Sequence, residues 1–327
     1  PGPSQEGSHL FRSGRNRQIL TGMKVVFIFN NKKNRLAGLI PRLDQHCREM
    51  NLGAAEFIPT LWARHAIELA KQATDKGCDY LISVGGDGTL NEVLNGVLKS
   101  KIPTNEYPVL GVLPYGSAND FARTAHVSNS IEELSNLIQS GSTKTIDLGK
   151  IIINGTREPR YFINIAGAGL SPEVVRNLEG TTSVFGPGFN YFRQIVKGFL
   201  NYAKKDVTCT SSEWRWSGKL LQMAVANGRC FGNAICVAPD ARLTDGQFQV
   251  AVFGDLSIWD YLKNLGRLKR GLKISHPEVV YHTTEEVVLE STNSCGIEAD
   301  GEYVGLAPAT ISMMPEAIRF LMPLDVM

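Results

Sequence analysis

The chain has no long apolar run, no closely paired cysteines and no strong excess of either charge. No stretch approaches the roughly 18–20 apolar residues that span a bilayer, so the sequence reads as a soluble protein, at most peripheral to a membrane. A net charge of +2 over 327 residues gives no footprint for nucleic acid. The six cysteines stand at 47, 78, 209, 230, 236 and 295 with no CxxC pair. That scatter argues against a zinc site or a disulfide framework and for reduced thiols in a cytoplasmic protein. Residues 1–22 have neither periodicity nor the apolar core of a signal peptide, and read as a disordered extension or leader outside the fold.

What is present is ordinary globular material, 43% hydrophobic and 20% charged, and its length suggests two domains. From Met23 strands and helices alternate: strand 24–29, helix 36–50, strand 54–59, helix 62–76, strand 80–84, a helix through Leu98, and strand 109–113. In the second helix Ala66, Leu69, Ala70 and Ala73 recur at helical spacing. This rhythm predicts a three-layer α/β domain over 23–140, a parallel sheet whose ligands sit at the carboxyl ends of its strands. After residue 141 the pattern becomes short alternating runs (145–151, 160–165, 207–216, 220–227, 247–253, 279–282 and 286–290), with helices over 171–178, 188–203 and 257–270. It predicts a mainly antiparallel β-sandwich domain over 141–314. The last segment, 315–327, is expected to return to the first domain, and the cleft between the two is the default site.

Two loops at the strand ends carry the chemistry. Leu81-Ile82-Ser83-Val84 runs into Gly85-Gly86-Asp87-Gly88-Thr89, followed by Asn91 and Glu92 in a helix. Glycines there let backbone N–H groups approach a polyphosphate, and the next helix points its positive end at it. Asp87 is a candidate for holding Mg²⁺ or ordering phosphates, and Thr89 for donating a hydroxyl; a ligand-free strand-to-helix turn is the competing reading. The second loop, Pro114-Tyr115-Gly116-Ser117-Ala118-Asn119-Asp120, offers a glycine, a hydroxyl and an Asn-Asp pair. For Asp120 a helix-capping role stands equally beside a ligand role.

Taken with Phe121-Ala122-Arg123, the two loops resemble the diacylglycerol kinase catalytic domain, and more narrowly the bacterial lipid kinases of that superfamily. Asn227-Gly228-Arg229-x-Phe231-Gly232, the run Ala238-Pro239 to Phe248, Asp300-Gly301-Glu302 and Ala317–Pro323 match in the same order, so the resemblance spans about residues 23–323. It implies a cytoplasmic, ATP- and Mg²⁺-dependent kinase of lipid metabolism that phosphorylates a lipid hydroxyl. Contact with Asn30, Thr60, Gly85, Gly86, Asp87, Gly88, Thr89, Asn91, Glu92, Gly116, Ser117 and Asn119 is expected of the nucleotide. Asp300, Glu302 and Asp87 are the implied catalytic residues: either Asp300 or Glu302 accepts the hydroxyl proton while the other orients the acceptor or helps bind metal. Taken alone, Asp300-Gly301 equally suits a hairpin turn. Arg242, Asp245 and Gln247 occupy the positions of a structural Mg²⁺ in such relatives, through the Asp245 side chain and two backbone carbonyls; a plain turn is the alternative.

The chain departs from the family pattern at Asn30–Asn34, where glycines give way to Lys32 and Lys33, at Tyr115, and at Asn233. The basic amphipathic stretch Trp259–Ile274 is a candidate for contact with anionic lipid, or a solvated helix face. The aromatics of Phe185–Phe199 are candidates for a lipid pocket or for ordinary core. A homodimer is left open. A kinase for a soluble acceptor such as NAD, or a non-catalytic lipid or nucleotide sensor, are the rival functions.

Overall fold

A computed structural model describes residues 22–30, 38–52, 54–156, 158–178 and 187–324, apart from the side chains of 178 and 187–192. The expectations for residues 1–21, for Lys32, Lys33 and Phe185, and for the side chains of Phe189, Tyr191 and Phe192 lie outside this set.

The first part alternates as its periodicity predicts: β1 (Lys24–Phe29), α1 (Leu39–Glu49), β2 (Ala54–Pro59), α2 (His65–Asp75), β3 (Tyr80–Gly85), α3 (Asp87–Leu98), β4 (Val109–Pro114), α4 (Asp120–Thr124) and α5 (Ile131–Ser140). The four strands pair in parallel in the order β2-β1-β3-β4. Leu90, Val93, Leu94 and Val97 of α3 fill one face, and Leu39, Leu43, Leu134 and Ile138 of α1 and α5 cover the other. α3 lies tight on α2 because Gly96 leaves no side chain between them; a Cβ there would overlap the Ile67 carbonyl oxygen.

The second part supplies β5 (Thr143–Ile153), β6 (Arg160–Phe162), β7 (Ile165–Gly169), α6 (Leu170–Leu178), α7 (Pro187–Asn201), β8 (Lys205–Thr210), β9 (Arg215–Leu220), β10 (Gln222–Ala226), β11 (Phe248–Phe253), α8 (Ile258–Lys269), β12 (Val279–Thr284), β13 (Glu286–Ser291), β14 (Gly296–Ala299), β15 (Glu302–Leu306) and β16 (Ala309–Leu321). Six of these form an antiparallel sheet, β12-β11-β10-β7-β14-β15. The others extend the first sheet beyond β4: β16 runs parallel to β4 at Phe320 and Leu110, then pairs with β5 and β13, and β8 and β9 follow. The two sheets face each other across a core that includes Ile151, Val287 and Ile311 on one side and Met223, Val250 and Ile297 on the other. The fold is therefore a parallel-sheet α/β unit joined by a continuous sheet to an antiparallel sandwich. The outer face of the six-stranded sheet is covered by α6, α7 and α8.

The structure corrects three local expectations. The expected strand 207–216 is two antiparallel strands, β8 and β9, because the chain turns at 211–214, where Ser211 N–H donates to the Trp214 carbonyl at 2.9 Å. The expected strand 160–165 is interrupted at Ile163 and Asn164, because the N–H groups of Ile163, Asn164 and Ile165 turn to the carboxylate of Asp300 instead of a neighbouring strand. The cysteines are not all reduced: Cys230 and Cys236 form a disulfide, whereas Cys47, Cys78, Cys209 and Cys295 are free and buried. The reason is local. Phe231 and Ile235 exchange two backbone hydrogen bonds across a tight turn, which sets the residues flanking them opposite one another.

Candidate active site

Register brings the candidate loops side by side. Phe29 is level with Pro59 and Val84, and Gly85 with Pro114, so Asn30, Thr60, Gly86 and Tyr115–Ser117 all emerge at the carboxyl edge of the parallel sheet. The strand order reverses between β1 and β3, the place where open α/β sheets hold ligands. Across that gap Asn30 donates to the Thr89 hydroxyl at 3.1 Å. Gly86 is the whole link between β3 and α3. It packs on Gly116 so closely that a Cβ on Gly116 would overlap the Gly86 Cα. Gly88, by contrast, faces open space bounded by a Glu302 oxygen 3.8 Å from where a Cβ would stand. Ser117 is exposed on the neighbouring loop.

Several predicted ligand residues turn toward protein. Asn119 adopts a left-handed backbone (φ 53°) and closes its loop by accepting from Gly116 N–H at 2.9 Å and donating to Gly116 O at 3.0 Å. The Glu92 carboxylate accepts from Ala66 N–H at 3.2 Å, in the first turn of α2. Both Asp87 oxygens accept from the first N–H groups of α4, those of Asp120 and Phe121, each at 3.1 Å. An anion at a helix N-terminus meets unpaired N–H groups and the positive end of the dipole. Asp87 thus fastens the glycine loop to α4. The next link is Asp120, whose carboxylate accepts from Asn233 and Ala234 N–H at 2.9 and 2.8 Å. Asp120 therefore does not cap its own helix; its carboxylate fastens α4 to a turn from the other half of the chain. Burial and the charge of Asp87 push the Asp120 carboxyl up, against those two hydrogen bonds.

The β14–β15 hairpin approaches from the far side. Its two-residue turn is Asp300-Gly301, with φ of 50° and 81°, the doubly positive pattern that Asp-Gly satisfies. The half-buried Asp300 accepts four hydrogen bonds on its carboxylate: Asn91 Nδ2 at 2.8 Å and the N–H groups of Ile163, Asn164 and Ile165 at 2.9, 3.0 and 3.1 Å. A carboxylate has about four lone-pair sites, so its accepting capacity is filled. Burial nonetheless raises its pKa to about 6, the four donors offsetting part of the penalty. Glu302, two residues on, is a different group. Its side chain is 31% exposed, it faces Gly88, and its second oxygen lies 3.9 Å from Arg64 Nη2. Glu298, two residues before Asp300, is buried, accepts from Gly301 N–H at 3.0 Å and from the Ser171 hydroxyl at 3.1 Å, and is pushed up to about 7 by burial.

Four participants escape sequence reasoning, the first being Arg64, already met beside Glu302. Arg160 donates to Asn91 Oδ1 at 2.9 Å and is electrostatically coupled to Glu302 and Arg64. Asn95 bonds the Tyr161 backbone in both directions; its only sequence signal is a second buried asparagine four residues after Asn91 on an apolar helix. Asp147 accepts from Gly246 and Glu316 N–H, both at 2.8 Å, and so ties β5, the Asp245-Gly246 turn and β16 together.

For the expected second cation, Arg242, Asp245 and Gln247 are exposed, and Asp245 accepts from Gln247 N–H at 3.2 Å. Asp245, Gln247 and Asp240 border a cavity of about 160 Å³. Among the described residues no cluster of three His, Cys, Asp or Glu gathers. One carboxylate with backbone carbonyls and water suits Mg²⁺, so the donor set fits. No helix among the described residues is long and apolar enough to cross a membrane.

Comparison with known proteins agrees with this architecture. The diacylglycerol kinase catalytic domain profile matches residues 24–151. The profile of the YegS C-terminal NAD kinase beta sandwich-like domain matches residues 165–322. A diacylglycerol kinase of Staphylococcus epidermidis is 31% identical over 261 residues, covering 79% of this chain and 78% of the relative. One of Bacillus subtilis is 27% identical over 292 residues, covering 89% and 91%. The fold superposes on a crystal structure of a diacylglycerol kinase from Bacillus anthracis with a TM-score of 0.69 at 19% identity, covering 93% of this chain and 98% of that one. The chain belongs to the diacylglycerol kinase family of lipid kinases, enzymes that transfer phosphate to a hydroxyl group.

Proposed function

We propose that this chain transfers the γ-phosphate of ATP, with Mg²⁺, to the hydroxyl of a diacylglycerol-like lipid. The observation that carries the reading is the open carboxylate of Glu302, which faces Gly88 and is coupled to Arg64 and Arg160. Phosphoryl transfer depends on positioning and on neutralising charge, and each nearby group has a part. The N–H groups of Gly86 and Gly88 and the start of α3 cradle phosphate oxygens, with Thr60, Thr89 and Ser117 around them. Arg64 and Arg160 face the transferred group. The lipid oxygen attacks the γ-phosphorus as its proton passes to Glu302. The bond from phosphorus to the β–γ bridging oxygen breaks, and ADP leaves with the electron pair. Asp300, with its acceptor sites filled, positions the hairpin that presents Glu302. Asp87 acts through α4 as the organiser of the phosphate loop. Bound Mg²⁺ supplies charge neutralisation at the phosphates, and the second-cation residues are Asp245 with the Arg242 and Gln247 carbonyls.

The lipid is met at a membrane surface. α8 leaves Trp259 68% exposed, beside exposed Leu262, Lys263, Arg267, Lys269 and Arg270. An aromatic among cations suits an anionic interface and supports peripheral contact with the bilayer.

Incubation with labelled ATP, Mg²⁺ and a panel of diacylglycerol, monoacylglycerol, sphingoid bases, phosphatidylglycerol and NAD tests the reading. Label in a glycerolipid is the expected result. A soluble acceptor is the second reading, favoured by the likeness of the second half to an NAD kinase-type sandwich; label only in NAD would establish it. ATP binding without transfer to any acceptor would make the protein a sensor.

A further inference from the structure

The disulfide has no part in the proposed phosphoryl transfer, yet it lies close to the machinery for it. Cys230–Cys236 closes a ring around the turn Phe231–Ile235, whose Asn233 is one of the positions where the chain departs from its family. Within the ring Gly232, Asn233 and Ala234 all take left-handed backbone, with φ of 61°, 70° and 66°. Glycine adopts that conformation freely and asparagine tolerates it, but alanine resists it. The run must therefore be held by its surroundings. Three restraints hold it: the disulfide, the Phe231–Ile235 bridge just inside it, and the Asp120 carboxylate, which accepts from Asn233 and Ala234 N–H.

That last restraint is a line to the phosphate loop. The N–H groups of Asp120 and Phe121 hold the two oxygens of Asp87, the residue between Gly86 and Gly88. Two sets of hydrogen bonds, turn to Asp120 and α4 to Asp87, thus connect the disulfide to the proposed phosphate cradle. The stems of the ring are anchored separately. Cys230 O accepts from Asn164 Nδ2 at 2.9 Å, and Cys236 N–H donates to Leu268 O at 3.1 Å. Opening the ring therefore frees the turn and leaves the fold around it. Access is one-sided: Cys230 is 8% exposed, whereas Cys236 is only half-buried.

We infer that Cys230–Cys236 is a thiol–disulfide switch, and that a dithiol reductant opening it loosens the nucleotide site through Asn233, Ala234, Asp120 and Asp87. A thiolate of the reductant attacks Cys236 Sγ, the S–S bond breaks, and Cys230 leaves with the electron pair. The second thiolate of the reductant then attacks its own sulfur in the mixed disulfide and releases Cys236. The protein gains two electrons and the two thiol protons, and the reductant departs as a disulfide. The inference rests on the proposed binding of ATP at the glycine loop and adds what governs its affinity.

The test compares the full chain before and after treatment with dithiothreitol. The four free thiols are buried, so a maleimide added without denaturant labels none of them; after reduction it labels Cys236 and Cys230. Hydrogen exchange in peptides covering 231–235 and 118–124 quickens about tenfold or more on reduction. ATP affinity, measured by calorimetry, falls roughly threefold to tenfold, the size of one hydrogen bond. By linkage, saturating ATP makes the disulfide harder to reduce by the same factor, about 14–30 mV. The double variant Cys230→Ser, Cys236→Ser matches the reduced protein and ignores dithiothreitol; if it fails to fold, the two wild-type states decide. No labelling after reduction, unchanged exchange, or equal ATP affinity in the two states overturns the inference even if lipid is phosphorylated. Quickened exchange on reduction, in a chain that binds ATP in neither state, supports the switch and sinks the kinase reading.

Discussion

Gly86 and Gly116 meet through bare backbone, whereas the β14–β15 hairpin reaches the same cleft through three carboxylates, Glu298, Asp300 and Glu302. The nucleotide side is shaped by what is missing, since a single Cβ would force the two loops apart. The hairpin side is shaped by charge, and its three acids differ by environment. Glu298 is buried and Asp300 half-buried, both hydrogen-bonded into the frame, while Glu302 is partly open and faces cations. Neighbouring carboxylates in one short segment thus differ in how many donors each already holds, which is why Glu302 is the one proposed for chemistry. Asp87, on the nucleotide side, falls with the frame.

Breaking the frame should cost most. Asp300→Ala leaves four donors around the former carboxylate, at about 1–3 kcal/mol for each one that stays buried and unsatisfied. A loss on the order of 4 kcal/mol, or roughly 10 °C in Tm, is expected in thermal unfolding; an unchanged Tm would remove Asp300 from the frame. Glu302→Gln should cost nothing comparable in stability, yet lower kcat by about 10²–10⁴-fold. Gly116→Ala probes the backbone contact: overpacking of this kind costs about 1–3 kcal/mol, and ATP affinity measured by calorimetry should fall with Tm. Arg160→Ala, which removes a cation beside Glu302, should raise KM for ATP roughly tenfold, and an unchanged KM would leave Arg64 alone in that role.

The smallest effect concerns pH. Burial raises Glu298 from 4.5 to about 7 and Asp300 from 3.8 to about 6, so in this window the folded chain binds protons that the unfolded chain has released. The stability they contribute is complete below the unfolded values and is lost as pH rises through the folded ones. Between pH 6 and 8 the wild-type Tm should therefore decline more steeply than that of Glu298→Gln, by roughly 3 °C. Parallel curves would mean that Glu298 is not the group titrating.

Much of this organisation was legible in the chain. Short apolar strands ending in glycine loops dictated the parallel sheet and the edge where its ligands belong, and the later alternating runs dictated the sandwich. The Asp300-Gly301 dipeptide announced its hairpin. What was hidden depends on pairings between distant residues. Nothing near Ile163 indicates that three N–H groups will desert their strand for a carboxylate more than 130 positions away. Nothing near Asp87 shows that its oxygens face α4, because a glycine-flanked aspartate reads the same whether it meets metal or backbone. Arg64 and Arg160 look like surface cations until the fold sets them beside Glu302. The Cys230–Cys236 pair depends on a turn whose bridge, Phe231 to Ile235, has no spacing signature.

The central claim is that Glu302 takes the proton while Asp300 holds the frame. Turnover of Glu302→Gln on diacylglycerol, measured beside its Tm and ATP affinity, tests it most directly. Turnover at least about a hundredfold lower is expected, in a protein that melts and binds ATP like wild type. Near-normal turnover in that folded variant would contradict it.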